Sequence, residues 1–171
     1  ISDVILHIRY TAREGGQLLR DAAVAHLGEL IAESRAAGSI RLFSIRNEFP
    51  AEWARFRTQA AVPNQRFALE LELRNEHYPF WSRGRLTAVK RVDVLARAAA
   101  DPAPNSLEVA DAAGNGGGVK KDPLVKDAAR GNLFTGRLTD VPLPEKPVGP
   151  LKLYFDSNAL SDLWLAVTWG E

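Results

Sequence analysis

Residue types that run reactions are present in this chain, but not at the spacings such chemistry needs. An imidazole metal site wants two ligands on one helix face or across one short loop, because the ion fixes its ligand nitrogens close together. His7, His26 and His77 stand far apart, on stretches that read as a strand, a helix and a turn. Cysteine is absent, which removes thiolate metal sites, thiol nucleophiles and disulfides together. A serine nucleophile would need a base in reach and an oxyanion site, and the G-x-S-x-G marker is missing. The run Gly116-Gly117-Gly118-Val119-Lys120-Lys121 puts glycine before lysine without the G-x-x-x-x-G-K-[ST] spacing that cradles phosphates. Glu70 and Glu72 fall on the polar side of a strand pattern, where like charges are solvated separately and do not share a buried site with split pKa values. Asp101, Asp111, Asp122 and Asp127 lack the tight alternation of a calcium loop. These spacings lead to the expectation of a protein that is not an enzyme and takes no metal or cofactor.

Binding is the chemistry the sequence favours. His77-Tyr78-Pro79-Phe80-Trp81-Ser82-Arg83-Gly84-Arg85 packs three aromatics and two arginines into one corner. Such side chains dominate binding hot spots, because they combine a large apolar surface with a directional polar tip. Tyr78, Phe80, Trp81, Arg83 and Arg85 are therefore the binding candidates. The competing reading is structural, with Phe80 and Trp81 plugging the end of a barrel or sandwich.

The elements that must carry this corner are mostly strands. Ile1 to Tyr10 alternates, with Val4, Leu6, Ile8 and Tyr10 on one face. Glu14 to Ala37 places Leu18, Leu19, Ala22, Ala23, Leu27, Leu30 and Ile31 at helical spacing, and Gly38 supplies a stop. Ile40 to Arg46 reads as a strand, and Pro50 opens a short helix in which Trp53 and Phe56 share a face. Arg66 to Asn75 alternates cleanly with Phe67, Leu69, Leu71 and Leu73 inward. Leu86 to Ala96 is another strand whose phase slips near Lys90, as a bulge would make it do. From 98 to 132 the texture turns to Ala, Pro, Asn, Gly and Lys and reads as a flexible loop, loosest at 112–131, with Ser106 to Ala110 as a short strand inside it. Strand character returns at Leu133 to Val141, the prolines of 141–150 read as a connector, and Leu151 to Phe155 and Leu163 to Trp169 are the final strands.

The expected fold is mainly β: an antiparallel, jelly-roll-like β-sandwich with one amphipathic N-terminal helix. Residues 14–171 form the module, and 1–13 are its first strand or the closing strand of a preceding one. An echo of Ile1-Ser2-Asp3-Val4 in Leu160-Ser161-Asp162-Leu163 motivates that second option. The 171 residues suit one domain, and the lack of methionine even at position 1 reads as a segment of a longer polypeptide. With 22 basic against 21 acidic residues and a net charge of +1, the chain lacks the footprint of a nucleic-acid binder. No apolar run reaches the roughly 18 residues that span a bilayer, so no membrane insertion by this segment is expected.

Three stretches resemble a known family. Ile1-Ser2-Asp3-Val4-Ile5-Leu6-His7-Ile8-Arg9-Tyr10-Thr11-Ala12-Arg13-Glu14-Gly15-Gly16 looks like the C-terminal region of the A component of Tc (ABC) insecticidal toxin complexes. Arg41-Leu42-Phe43-Ser44-Ile45-Arg46-Asn47-Glu48-Phe49-Pro50-Ala51-Glu52-Trp53 and Tyr78-Pro79-Phe80-Trp81 are similar to extensions in longer members. Many members end soon after the equivalent of Ile8-Arg9-Tyr10-Thr11, and this chain continues. The resemblance implies a β-rich, non-catalytic region that docks a B-component-like partner, part of the cocoon that delivers a toxic enzyme. It also implies a secreted or cell-surface toxin complex. A carbohydrate- or receptor-binding module for target-cell recognition is the alternative.

Overall fold

The computed structural model describes residues 11, 15–82, 84–99 and 106–170. The chain divides into two compact units, 1–34 and 35–171. Most of α1 (Gly16–Ala37) belongs to the first. It is the helix that the three-and-four spacing predicts, and Leu19, Leu27 and Leu30 along its apolar stripe are exposed. It ends at Gly38, whose φ of +76° suits glycine; a β-carbon there would also lie 2.7 Å from the Trp169 carbonyl oxygen. The alternating stretch 1–10, with the strand and tandem-module readings placed on it, lies outside the described residues.

The second unit is an eight-stranded, antiparallel, curled sheet. Its strands are β1 (Ser39–Ser44), β2 (Phe67–Leu73), β3 (Ala88–Ala98), β4 (Leu107–Ala110), β5 (Lys121–Asp127), β6 (Leu133–Arg137), β7 (Gly149–Phe155) and β8 (Leu160–Gly170). They hydrogen-bond in the order β1-β8-β3-β6-β5-β4-β7-β2. Alternation decides what each strand buries. Leu69, Leu71 and Leu73 of β2, Val92 and Val94 of β3, Leu153 and Phe155 of β7, and Leu165, Val167 and Trp169 of β8 meet in one core. The register shifts between Val89 and Arg91, so the bulge expected near Lys90 is present, and it turns Val92, Val94 and Ala96 inward.

The stretch 98–132, read as a flexible loop, contains β4 and β5. β4 is the short strand expected at Ser106 to Ala110, whereas the alanine- and lysine-rich texture hid β5, whose inward side chains are few, Asp122 and Leu124. β5 is also shared: Lys121 to Leu124 pair with β4, and Val125 to Asp127 with β6. Pro123, which cannot donate to a ladder, sits just before that change of partner.

Two further helices, α2 (Ile45–Glu48) and α3 (Pro50–Arg57), follow β1; α3 is the short helix expected at Pro50, and α2 has no counterpart among the expected elements. Pro50 opens α3 as its fixed φ and missing N–H favour. α3 buries Phe56, stacked on Trp53 at 5.7 Å and edge-on to Phe155 of β7 at 5.6 Å, so it plugs the core beside β2 and β7.

Candidate functional site

The aromatic corner joins β2 to β3 through two short 3-10 turns, Asn75–His77 and Phe80–Ser82. Its root is Tyr78, only 5% exposed, with its ring edge-on to Phe43 at 5.4 Å and to Trp169 at 5.0 Å. The Tyr78 hydroxyl donates to the Pro147 carbonyl, satisfying the one polar group this ring brings inside. Burial pushes its pKa upward, so it remains a neutral donor. His77 packs on Phe49 at 4.9 Å, and its ring Nδ1 accepts from the Arg74 backbone N–H at 3.1 Å.

Ser82 holds the other end of the corner. It is fully buried, and its hydroxyl and N–H both donate to the Pro79 carbonyl, at 2.7 and 2.9 Å. Between these two anchors Phe80 is 80% exposed and Trp81 51% exposed. Arg85 is exposed, its N–H held by the Ser82 carbonyl at 2.9 Å, and Arg83 lies outside the described residues. The candidates therefore separate by role: Tyr78 fixes the turn, and Phe80, Trp81 and Arg85 are presented on it. Covering the open parts of Phe80 and Trp81 would remove roughly 250 Å² of surface from water, on the order of 6 kcal/mol as an upper bound.

The sheet edges present a different picture. Strand addition needs free N–H and C=O groups along an edge. On β2 the Gln59 side-chain amide occupies both groups of Ala68, donating to its carbonyl at 2.6 Å and accepting from its N–H at 2.8 Å. On β1 the Leu42 carbonyl accepts from the Arg41 guanidinium at 2.8 Å, and the Ser44 N–H donates to the Glu48 carboxylate at 2.8 Å. Arg41 and Glu48 pair with each other at 2.5 Å. Side chains thus occupy part of the hydrogen-bonding capacity of each edge.

The ionisable groups with shifted pKa values are held in structural roles. Asp122, 2% exposed, receives the hydroxyl and N–H of Thr139 at 2.6 and 2.9 Å, the N–H of Asp140 at 3.2 Å and that of Val141 at 2.9 Å. Burial opposes its ionisation, but these four donors outweigh it and hold its pKa below the usual carboxylate range. Arg66 is buried against Glu108 at 2.9 Å and donates to the Gly114 carbonyl at 2.7 Å, while Lys121 reaches Glu108 at 3.3 Å. Asp156 is exposed and accepts the Glu108 N–H at 3.0 Å; desolvation raises its pKa. Among the described residues no group of three or more His, Asp or Glu comes close enough to share a metal ion. Asp101 lies outside the described residues, and of Asp111, Asp122 and Asp127 only Asp122 is a buried anchor. Nothing in its sequence neighbourhood distinguishes it, since its partners lie on the far side of β6. Comparison of the chain with protein-family models, with curated proteins and with solved structures gives no match.

Proposed function

We propose that this chain is a non-catalytic binding module that docks a partner subunit, a B-component-like cocoon, in assembly of a secreted or cell-surface toxin complex. The observation that carries the reading is the corner: a turn rooted at Tyr78 and Ser82 that spends its rigidity on holding Phe80 and Trp81 in solvent. A fold gains nothing from that display, whereas exposed aromatics set on an anchored turn are what an interface hot spot requires. The side-chain caps on Ala68 of β2 and on Leu42 and Ser44 of β1 favour a partner that reads side chains over one that adds a strand. The three sequence stretches similar to Tc A components supply the class of partner.

We read the curled sheet as the expected jelly-roll-like sandwich. The order β1-β8-β3-β6 against β2-β7-β4-β5 supports this, since each set of four would form one face with β5 and β6 joining them. Carbohydrate binding for target-cell recognition is the second reading, because Trp81 with the neighbouring Arg85 could stack on and hydrogen-bond a sugar ring.

The test is a titration of the full chain and of the F80A/W81A variant against a purified B–C cocoon, with a glycan array alongside. Saturable cocoon binding that weakens at least tenfold in the variant supports docking. Glycan binding lost in the variant moves the function to target recognition. Cocoon binding indifferent to both substitutions, or silence in both arms, overturns the assignment to this corner.

A further inference from the structure

The outward face of β1, β8, β3 and β6 is set by the register that builds the core, because alternate residues must leave on the other side. One row across it reads Ser44, Trp164, Leu95, Thr135 and Val125. The adjoining row reads Leu42, Ala166, Asp93 and Arg137. Leu42 is 50% and Val125 65% exposed, Trp164 and Leu95 are half-buried, and Ile40 beyond Leu42 is 65% exposed. Solvent-facing strand residues in an antiparallel sheet are ordinarily polar, so Trp164, Leu95 and Val125 in a row about 19 Å long at ordinary strand spacing, with Leu42 and Ile40 beside it, stand out from that pattern.

Arginines border the row on both sides. Arg97 lies over the Trp164 ring at 5.9 Å, and Arg46 pairs with Asp162 at 3.3 Å. On the other side Arg91 and Arg137 share one carboxylate, Asp93, at 2.5 and 3.5 Å. A shallow depression of about 600 Å³ opens there, lined by Leu95 and Thr135 together with Arg91, Arg130, Arg137 and Asp93. Arg130 is matched by Asp127 at 3.3 Å, so the guanidiniums of Arg91 and Arg137 against the single carboxylate of Asp93 leave that depression short of one negative charge.

We infer that this face is a second docking surface, separate from the aromatic corner, and that its occupant is a short protein segment combining apolar side chains with flanking carboxylates. The apolar row selects a protein over a sugar or a nucleic acid, since a polyanion would gain nothing from Leu42, Leu95 and Val125. The arginine borders select acidic flanks, because guanidinium forks bind carboxylates with two parallel hydrogen bonds. An acidic group seated in the depression completes the pairing that Asp93, divided between two arginines, leaves unfinished.

The experiment is selection of a random twelve-residue phage-displayed peptide library on the full chain, with counter-selection on L95E and on R137Q. Arg137 is exposed, so R137Q keeps the fold if L95E does not, and circular dichroism checks both. The expected result is enrichment of peptides with spaced apolar residues and Asp or Glu at the borders. Their affinity falls at least tenfold in either folded variant, weakens with salt and is unchanged in F80A/W81A. No enrichment, enriched peptides without acidic residues, or peptides that bind L95E and R137Q as well as the parent would each overturn the assignment. So would a heparin fragment binding in an Arg137-dependent manner while no peptide does.

Discussion

Replacing Asp122 with alanine removes the acceptor of four hydrogen bonds at once. Thr139 and Asp140 are exposed, so water takes over their N–H groups, but Val141 is 2% exposed and its N–H is left without a partner. A charge-assisted bond to a buried donor contributes roughly 1.5–3 kcal/mol, and loosening of the 139–141 turn adds to it, giving a loss of about 3 kcal/mol for D122A. For a folded unit of this size that corresponds to a fall in Tm of roughly 10 °C, measured by urea or thermal unfolding followed by tryptophan fluorescence. The pH dependence has a definite sign. A carboxylate whose folded pKa is depressed stabilises the fold fully above its unfolded pKa of about 3.9, and that stabilisation is lost as the pH falls through the folded value. D122N, which has no charge to titrate, therefore shows a flatter acid limb than the parent. A loss below about 1 kcal/mol for D122A, or an unchanged acid limb for D122N, would refute this account of the turn.

Y78F deletes only the hydroxyl that donates to Pro147, and it lowers stability by about 1 kcal/mol in urea unfolding; Y78A, which empties a core position, costs about 4 kcal/mol. G38A forces a β-carbon toward the Trp169 carbonyl at a φ of +76°, and thermal unfolding reads a loss of more than about 1 kcal/mol, whereas G117A, with open space around it, changes little. Q59A opens the β2 edge at Ala68, and light scattering at raised concentration detects self-association that the parent lacks; equal scattering from both would show that Gln59 does not guard that edge.

Period-two alternation made most of the sheet legible. Leu69, Leu71 and Leu73 announced β2, and the phase slip at Lys90 located the bulge in β3, because both are local consequences of which side of a pleat meets the core. β4 showed only as the short strand at Ser106 to Ala110, and β5 was not legible at all. Their burial depends on Leu107, Val109 and Leu124 meeting strands far off in the chain, and Gly116 to Gly118 drew attention to the turn between them. The corner from Tyr78 to Arg85 stood out by composition, but composition could not divide it into an anchor and a display. That division follows from Phe43, Trp169 and Pro147, all remote in sequence. The Gln59 and Arg41–Glu48 edge closures left no sequence signal, since each depends on one side chain reaching one backbone group.

The strand order also governs how this chain is made. β8 lies between β1 and β3, and β7 between β4 and β2, so each half of the sheet has a gap until β7 and β8 arrive. A nascent chain that has reached only Asp140 therefore presents β1, β2, β3 and β4 with no neighbour on the sides that β7 and β8 will fill. Pairings such as Ser39 with Trp169 close loops of more than a hundred residues, a slow step by its chain entropy. β7 and β8 must both be made before the sheet can zip, and during that interval the open strands expose this protein to aggregation.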